Sequence, residues 1–312
     1  MKHLKAYFDL GKLRLSLLVT ATALAGYLLG NHGAWSGPLL AALLGTLLSS
    51  MGANGINQWM ERERDAKMHR TALRPIPSGR LTPRLALELA LLSCAAGVVI
   101  LAISVNLLTA ALSLLTILLY TLVYTPLKPV SPSNTLVGAL VGAIPPIMGW
   151  TAATGHFAYG ALALGAILFV WQIPHFLGLA WLYREDYARG GYRMLSLSDD
   201  GSATGWMMLV YSLALIPVAL LLSVGRVSGW AYALGSIVLG IAMAGFSWRF
   251  YFERSNSSAR RVFIASLAYL PLLLVLMVAS VRPPSTTVYI TQPDSPAAPV
   301  VPAGVLEARA GE

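Results

Sequence analysis

The sequence predicts an all-α polytopic membrane protein, nine transmembrane helices in one bundle with the charged loops on the cytoplasmic side. Three observations predict it. Of 312 residues, 56% are hydrophobic and 11% charged, whereas a soluble domain carries about 25% charged residues. The apolar residues fall into nine blocks, each near the ~20 residues that cross a hydrocarbon core. The basic residues alternate from loop to loop, 19 of the 22 Lys plus Arg falling on one side and 3 on the other, and the positive-inside rule makes the richer side cytoplasmic.

The first block, near 14–30, follows MKHLKAYFDLGKLR, in which Asp9, Lys12 and Arg14 interrupt a signal-peptide pattern. A retained first span is therefore expected, despite a faint cleavage signal at Ala23, Leu24 and Ala25. The second block, near 38–60, runs into NQWMERERDAKMHRTALRPIPSGR, residues 57–80, with three acids and six bases. Blocks near 84–104 and 107–124 follow, the former tolerating Glu88 close to one end. The fifth, near 135–154, carries Gly138, Ala139, Gly142 and Ala143, small residues that let helices approach closely. The sixth, near 158–182, ends in YREDYARGGYR, and blocks near 205–224, 229–250 and 262–281 complete the set. Pro145–Pro146, Pro174 and Pro217 are expected to kink their helices.

Residues 1–281 thus read as one domain with a cytoplasmic N-terminus. Residues 282–312, rich in Pro, Ser, Thr and Ala, read as a disordered extracytoplasmic tail. The net charge of +9 is accounted for by inward-facing loops, so the lipid bilayer and not nucleic acid is the expected partner. Cys94, the single cysteine, lies in an apolar run and reads as a small buried hydrophobe.

Charge is costly beside lipid, so the cluster after the second span calls for a use. Asn57, Glu61 and Asp65 stand at i, i+4 and i+8; at 3.6 residues per turn they form one stripe over roughly 12 Å. Two carboxylates and an amide oxygen are hard donors that suit Mg²⁺. Lys67, Arg70 and Arg74 follow, and bases beside a metal site suit a polyphosphate. The bland alternative is a solvated loop whose charges pair locally, as Glu61 with Arg64. Against it, the stripe continues into the apolar span through Asn57 and Asn54, and polar residues at membrane depth are functional candidates. A second cluster, Arg184, Glu185, Asp186, Arg189 and Arg193, ends the sixth span on the same side.

The first stripe resembles the N-x-x-x-D-x-x-x-D signature of UbiA-type intramembrane prenyltransferases. Five collinear blocks, DAKMHRTALRPIPSGR, YTPLK, PPIMGW, WQIPHF and REDYARGG, resemble the branch of that family that farnesylates protoheme IX, which forms heme O. The resemblance implies transfer of the farnesyl group of farnesyl diphosphate to a vinyl group of heme B, with water added and diphosphate released. It also implies Mg²⁺ as cofactor, a bacterial plasma-membrane location, and heme A synthase or terminal oxidase assembly proteins as possible neighbours. Metal ligands would be Asn57, Glu61, Asp65, Glu185 and Asp186; diphosphate contacts Lys67, Arg70, Arg74, Arg184 and Lys128; and heme contacts His175 and Arg193.

Two positions depart from the superfamily pattern, Glu61 for an aspartate and Gly190 for an acid. Tyr124, Trp59 or Trp171 would shelter a farnesyl cation, or would simply pack. His175 reads equally as a satisfied core histidine, and Lys128 and Arg193 as topology charges or as partners of heme propionates. A prenyltransferase for a quinone precursor or chlorophyllide is the nearest rival. A transporter or heme-delivery protein is disfavoured because its polar sites belong at the bilayer midplane.

Overall fold

A computed structural model describes residues 2–282, with side chains described from residue 4. Of the tail expected over 282–312, all but Arg282 lies outside the described residues. Lipid cannot hydrogen-bond a bare backbone, so each apolar block must close its own hydrogen bonds as a helix. Nine helices among the described residues are long and apolar enough to span a membrane.

The chain opens with α1 (Lys2–Leu10), an element the hydropathy pattern did not predict, then α2 (Leu13–Gly30) and α3 (Leu39–Asp65). Helix α4 (Pro83–Ser104) starts with Thr82 accepting from the Leu85 N–H and Pro83 in the first turn. The fourth span (Leu107–Leu127) joins α5 (Leu107–Leu118), a π-helical stretch (Leu119–Tyr124) and α6 (Thr125–Leu127). Helices α7 (Asn134–Thr154) and α8 (Tyr159–Leu182) follow, then short α9 (Arg184–Arg189) and α10 (Leu195–Ser198), then spans α11 (Ser202–Val224), α12 (Trp230–Glu253) and α13 (Asn256–Ala279). Helices α7, α8, α11 and α13 run through their internal prolines as single elements.

Helix α3 packs along α4, α2 along α7, α8 against α7 and α11, and α13 against α12 and α8. Small residues set the closest crossing. A Cβ on Gly26 would stand 2.0 Å from the Pro146 carbonyl oxygen, and one on Gly149 1.8 Å from that of Ala23. Only hydrogen fits between α2 and α7 at these points. Outer faces carry bare aliphatics such as Ile103, Leu40 and Val275, as a lipid boundary requires. Cys94 is buried and free, packed against α3 where Gly52 leaves room.

Candidate functional site

At one end of the bundle α3 outlasts the predicted span by five residues and carries its acids as helix to Asp65. Asn57 and Asp65 are fully buried and Glu61 nearly so. Only Asp65 finds its partner within its own loop; Glu61 and Asn57 are held from other parts of the chain. Lys128 Nζ donates to Glu61 Oε1 at 2.8 Å, Arg74 to Asp65 Oδ2 at 2.6 Å, and Lys12 Nζ to Asn57 Oδ1 at 3.2 Å. The Asn57 amide in turn donates to Thr125 Oγ1 at 3.0 Å. Arg64, the expected local partner of Glu61, instead donates to the carbonyls of Gly190 and Gly191 at 2.9 and 3.0 Å.

The second cluster closes onto the first. Asp186 Oδ1 accepts from the His69 backbone N–H at 3.1 Å and from Arg189 at 2.9 Å. Burial would raise this carboxyl, but those donors hold it below the ordinary aspartate range. The Arg193 N–H donates to the Lys128 carbonyl at 2.8 Å, and Asn134 donates to the Arg193 carbonyl at 3.0 Å. The second cluster is therefore tied to the first through His69 and Arg64, and to the loop after the fourth span through Lys128 and Asn134.

Several expectations change in detail. Lys128, expected as a diphosphate contact or a topology charge, is sealed against Glu61 with its ammonium 4.5 Å from the Tyr124 ring centroid. Burial alone would lower its pKa; the Glu61 carboxylate and neighbouring tyrosines raise it well above the ordinary value. Arg74 is engaged by Asp65, so a phosphate would have to share it. Arg70 lies 4.8 and 4.4 Å from the ring centroids of Tyr183 and Tyr187, and Arg184 4.6 Å from that of Trp181. Lys67, Glu185 and Arg193 are exposed, and Glu185 shares a polar pocket with Arg184, Arg189 and Asn256. Trp59 packs in a satellite core with Leu10 and Ile76, away from any chamber.

Sequence reasoning missed Lys12, Tyr120 and Tyr192. Lys12 has φ 46° at the elbow between α1 and α2, a left-handed conformation uncommon for a residue with a Cβ. Burial, reinforced by Arg74 and Lys128, pushes it down to about 7. Tyr192 is buried beneath Lys128; burial raises its phenol. Tyr120 stacks on Tyr124 at 5.2 Å and donates to Asn54 Oδ1 at 3.3 Å. Its one legible signal was the four-residue spacing to Tyr124.

Above this mouth lies a chamber of ≈ 380 Å³, within the usual range of ligand pockets. Apolar side chains of α2, α5, α7, α8 and α13 line most of it, with Tyr120, Trp171, Gln172 and His175 facing in. Gly142 makes room for the Gln172 amide, which would meet a Cβ there at 2.3 Å. His175 is half-buried, and its Nδ1 lies 2.9 Å from Ser266 Oγ.

The donor set can be tested for a divalent cation. Among the described residues no three His, Cys, Asp or Glu side chains converge as a ready ligand group. Asp65 Oδ1, however, is buried with no hydrogen-bond partner. An unpartnered carboxylate oxygen is costly to bury and is the kind of donor Mg²⁺ takes alongside waters and phosphate oxygens. Asn57 fits less readily, because Lys12 already holds its oxygen.

Fold and site together define a class: a membrane bundle that offers one amphiphile an ionic mouth for its head and an apolar chamber for its tail. Residues 19–279 match the model of the UbiA prenyltransferase family. The human mitochondrial protoheme IX farnesyltransferase is 44% identical over 275 residues, 88% of this chain and 62% of the human protein. The chain thus spans less than two thirds of that relative. The protoheme IX farnesyltransferase of Salinibacter ruber is 43% identical over 87% of this chain and 96% of that protein. The chain belongs to the UbiA prenyltransferase family, within its protoheme IX farnesyltransferase group.

Solved structures agree on the fold. A digeranylgeranylglyceryl phosphate synthase superimposes with TM-score 0.75 at 15% identity, over 90% of this chain and 99% of that one. A UbiA homologue from Archaeoglobus fulgidus bound to GPP and Mg²⁺ gives 0.56 at 12%, over 87% and 99%.

Proposed function

We propose that the chain transfers the farnesyl group of farnesyl diphosphate to a vinyl group of heme B, with addition of water, giving heme O and diphosphate. The observation that carries the reading is the buried set Glu61, Asp65 and Asp186, interleaved with Lys12, Arg74 and Lys128, at the mouth of an apolar chamber. The names of relatives above 40% identity support the acceptor. The Mg²⁺ recorded with a prenyl diphosphate in a fold relative supports the cofactor.

Ionisation breaks the bond between farnesyl C1 and its oxygen; the electron pair leaves with the diphosphate and C1 becomes an allylic cation. Arg74, Lys128 and Lys12 offset the charge growing on the leaving group. Bound through Asp65, Glu61 and Asp186, Mg²⁺ would supply further charge neutralisation there. Lys67, Arg70 and Arg184 are the outer bases available to the head group. The apolar lining keeps water from C1, and the ring faces of Tyr120 and Trp171 stabilise the cation; Tyr124 backs Tyr120. The vinyl π pair then forms the new C–C bond, leaving a cation next to the porphyrin. A water molecule adds there and loses a proton, giving the hydroxyl.

In this reading residues 1–281 are the catalytic domain, the mouth faces the cytoplasm and the protein sits in a plasma membrane. Its product passes to heme A synthase or to oxidase assembly. The test is expression in cells that lack heme O, followed by heme extraction and mass measurement. A mass increase equal to one farnesyl group plus one hydroxyl supports the reading. Unchanged heme B beside folded, membrane-inserted protein overturns it, and a prenylated quinone precursor would point to the rival acceptor.

A further inference from the structure

We propose that Nε2 of His175 is an axial ligand to the heme iron, so that the chamber wall fixes the porphyrin before its vinyl group reacts. This rests on heme as the acceptor and adds the group that holds it.

The hydrogen bonds of Ser266 fix where the imidazole proton sits. Ser266 Oγ donates to the Phe263 carbonyl at 2.6 Å, which commits the hydroxyl hydrogen. The same oxygen lies 2.9 Å from His175 Nδ1 and must accept there, so Nδ1 carries the hydrogen. In the neutral ring the lone pair then belongs to Nε2. No described residue hydrogen-bonds to Nε2, and His175 is the one imidazole among the residues lining the chamber.

The ring is also held in position. It stacks with Trp171 at 5.1 Å and 20°, and with Phe263 at 5.0 Å and 28°. Trp171 Nε1 donates to the Ser266 carbonyl at 2.9 Å, so one residue of α13 anchors both rings of α8. A histidine whose far N–H is bound to an oxygen, with its plane fixed by packing, is the usual form of a metal-ligating histidine. A purely structural core histidine would be expected to satisfy both nitrogens. By contrast, His32 and His156 lie outside the chamber, bound to the carbonyls of Arg282 and Thr154.

The placement suits the reaction. His175 lies seven residues before the end of α8, about two turns, so the iron would be held up the chamber from the carboxylate mouth. The diphosphate then leaves toward water while the porphyrin edge stays in the apolar zone. Iron serves here as an anchor and changes no oxidation state.

The test is a hemin titration of the full chain purified in detergent, followed by optical and electron paramagnetic resonance spectra. Wild type should show an imidazole-ligated ferric heme. His175→Ala should lose that signature while still taking up hemin, and added free imidazole should restore it. His175→Tyr should replace it with a phenolate-to-iron charge-transfer band, a gained signal that a misfolded variant would not give. If wild type and His175→Ala bind hemin with the same spectrum, this inference fails and the proposed reaction stands. If wild type takes up no hemin in either redox state, heme as acceptor fails with it.

Discussion

Lys128 Nζ lies 2.8 Å from Glu61 Oε1, with the two side chains only 12% and 7% exposed. The pair joins the loop after the fourth span to the end of the second. Removing one partner leaves the other as a buried, uncompensated charge, a loss of about 3–5 kcal/mol. Lys128→Met should therefore lower the thermal midpoint of the detergent-purified protein. Glu61→Gln with Lys128→Met should recover most of that midpoint and none of the heme O formation. If the double variant is as unstable as the single, the pair does not carry the effect.

Asp65→Asn tests the metal assignment. The buried, unpartnered Oδ1 becomes part of a neutral amide, a much weaker Mg²⁺ donor. Turnover in membranes should fall at least about 100-fold, as for removal of a central electrostatic group, while the protein stays inserted. Full activity in this variant would refute the metal site.

Lys12 gives the site a pH dependence. Its pKa stands near 7, below the ordinary 10.5, through burial and the nearby Arg74 and Lys128. As pH falls through 7 it gains a proton, holds Asn57 more tightly and repels a dication. The Mg²⁺ concentration for half-maximal activity should therefore be higher at pH 6 than at pH 8. In Lys12→Met the difference should shrink, which a Mg²⁺ titration at both pH values would show.

Gly149→Ala tests the crossing of α2 and α7. A Cβ there would sit 1.8 Å from a backbone oxygen of Ala23, and backbone cannot swing aside as a side chain can. Overpacking of this kind costs about 1–3 kcal/mol or more, so the thermal midpoint should drop. Gly155→Ser should matter less for packing, since a Cβ at Gly155 meets nothing within 4 Å, although its φ of +76° adds backbone strain.

The nine spans were legible because bilayer thickness and loop charge leave patterns along the chain. Helix α1 was not, since nine residues of mixed polarity make no apolar run. The second span was cut short at 60 because hydropathy reports where lipid ends; the helix itself continues through its charged turns to Asp65. In the site, the Asn57–Glu61–Asp65 stripe was legible from helical spacing. Its counterions Lys12 and Lys128 were not, because they arrive from 45 and 67 residues away and only the fold brings them in. The same holds for Tyr192, which only the fold brings beneath Arg64 and Lys128.

The π-helical stretch Leu119–Tyr124 ends with Thr125, whose N–H and hydroxyl both donate to the Tyr120 carbonyl. One wide turn holds one residue more than a regular turn, a phase shift of about 100° between the two ends of the span. Deleting a single residue there would restore an ordinary helix and rotate Tyr120 out of step with Tyr124 and Lys128. A one-residue deletion in this span is therefore more damaging than most substitutions, and an insertion elsewhere along it could not repair the register.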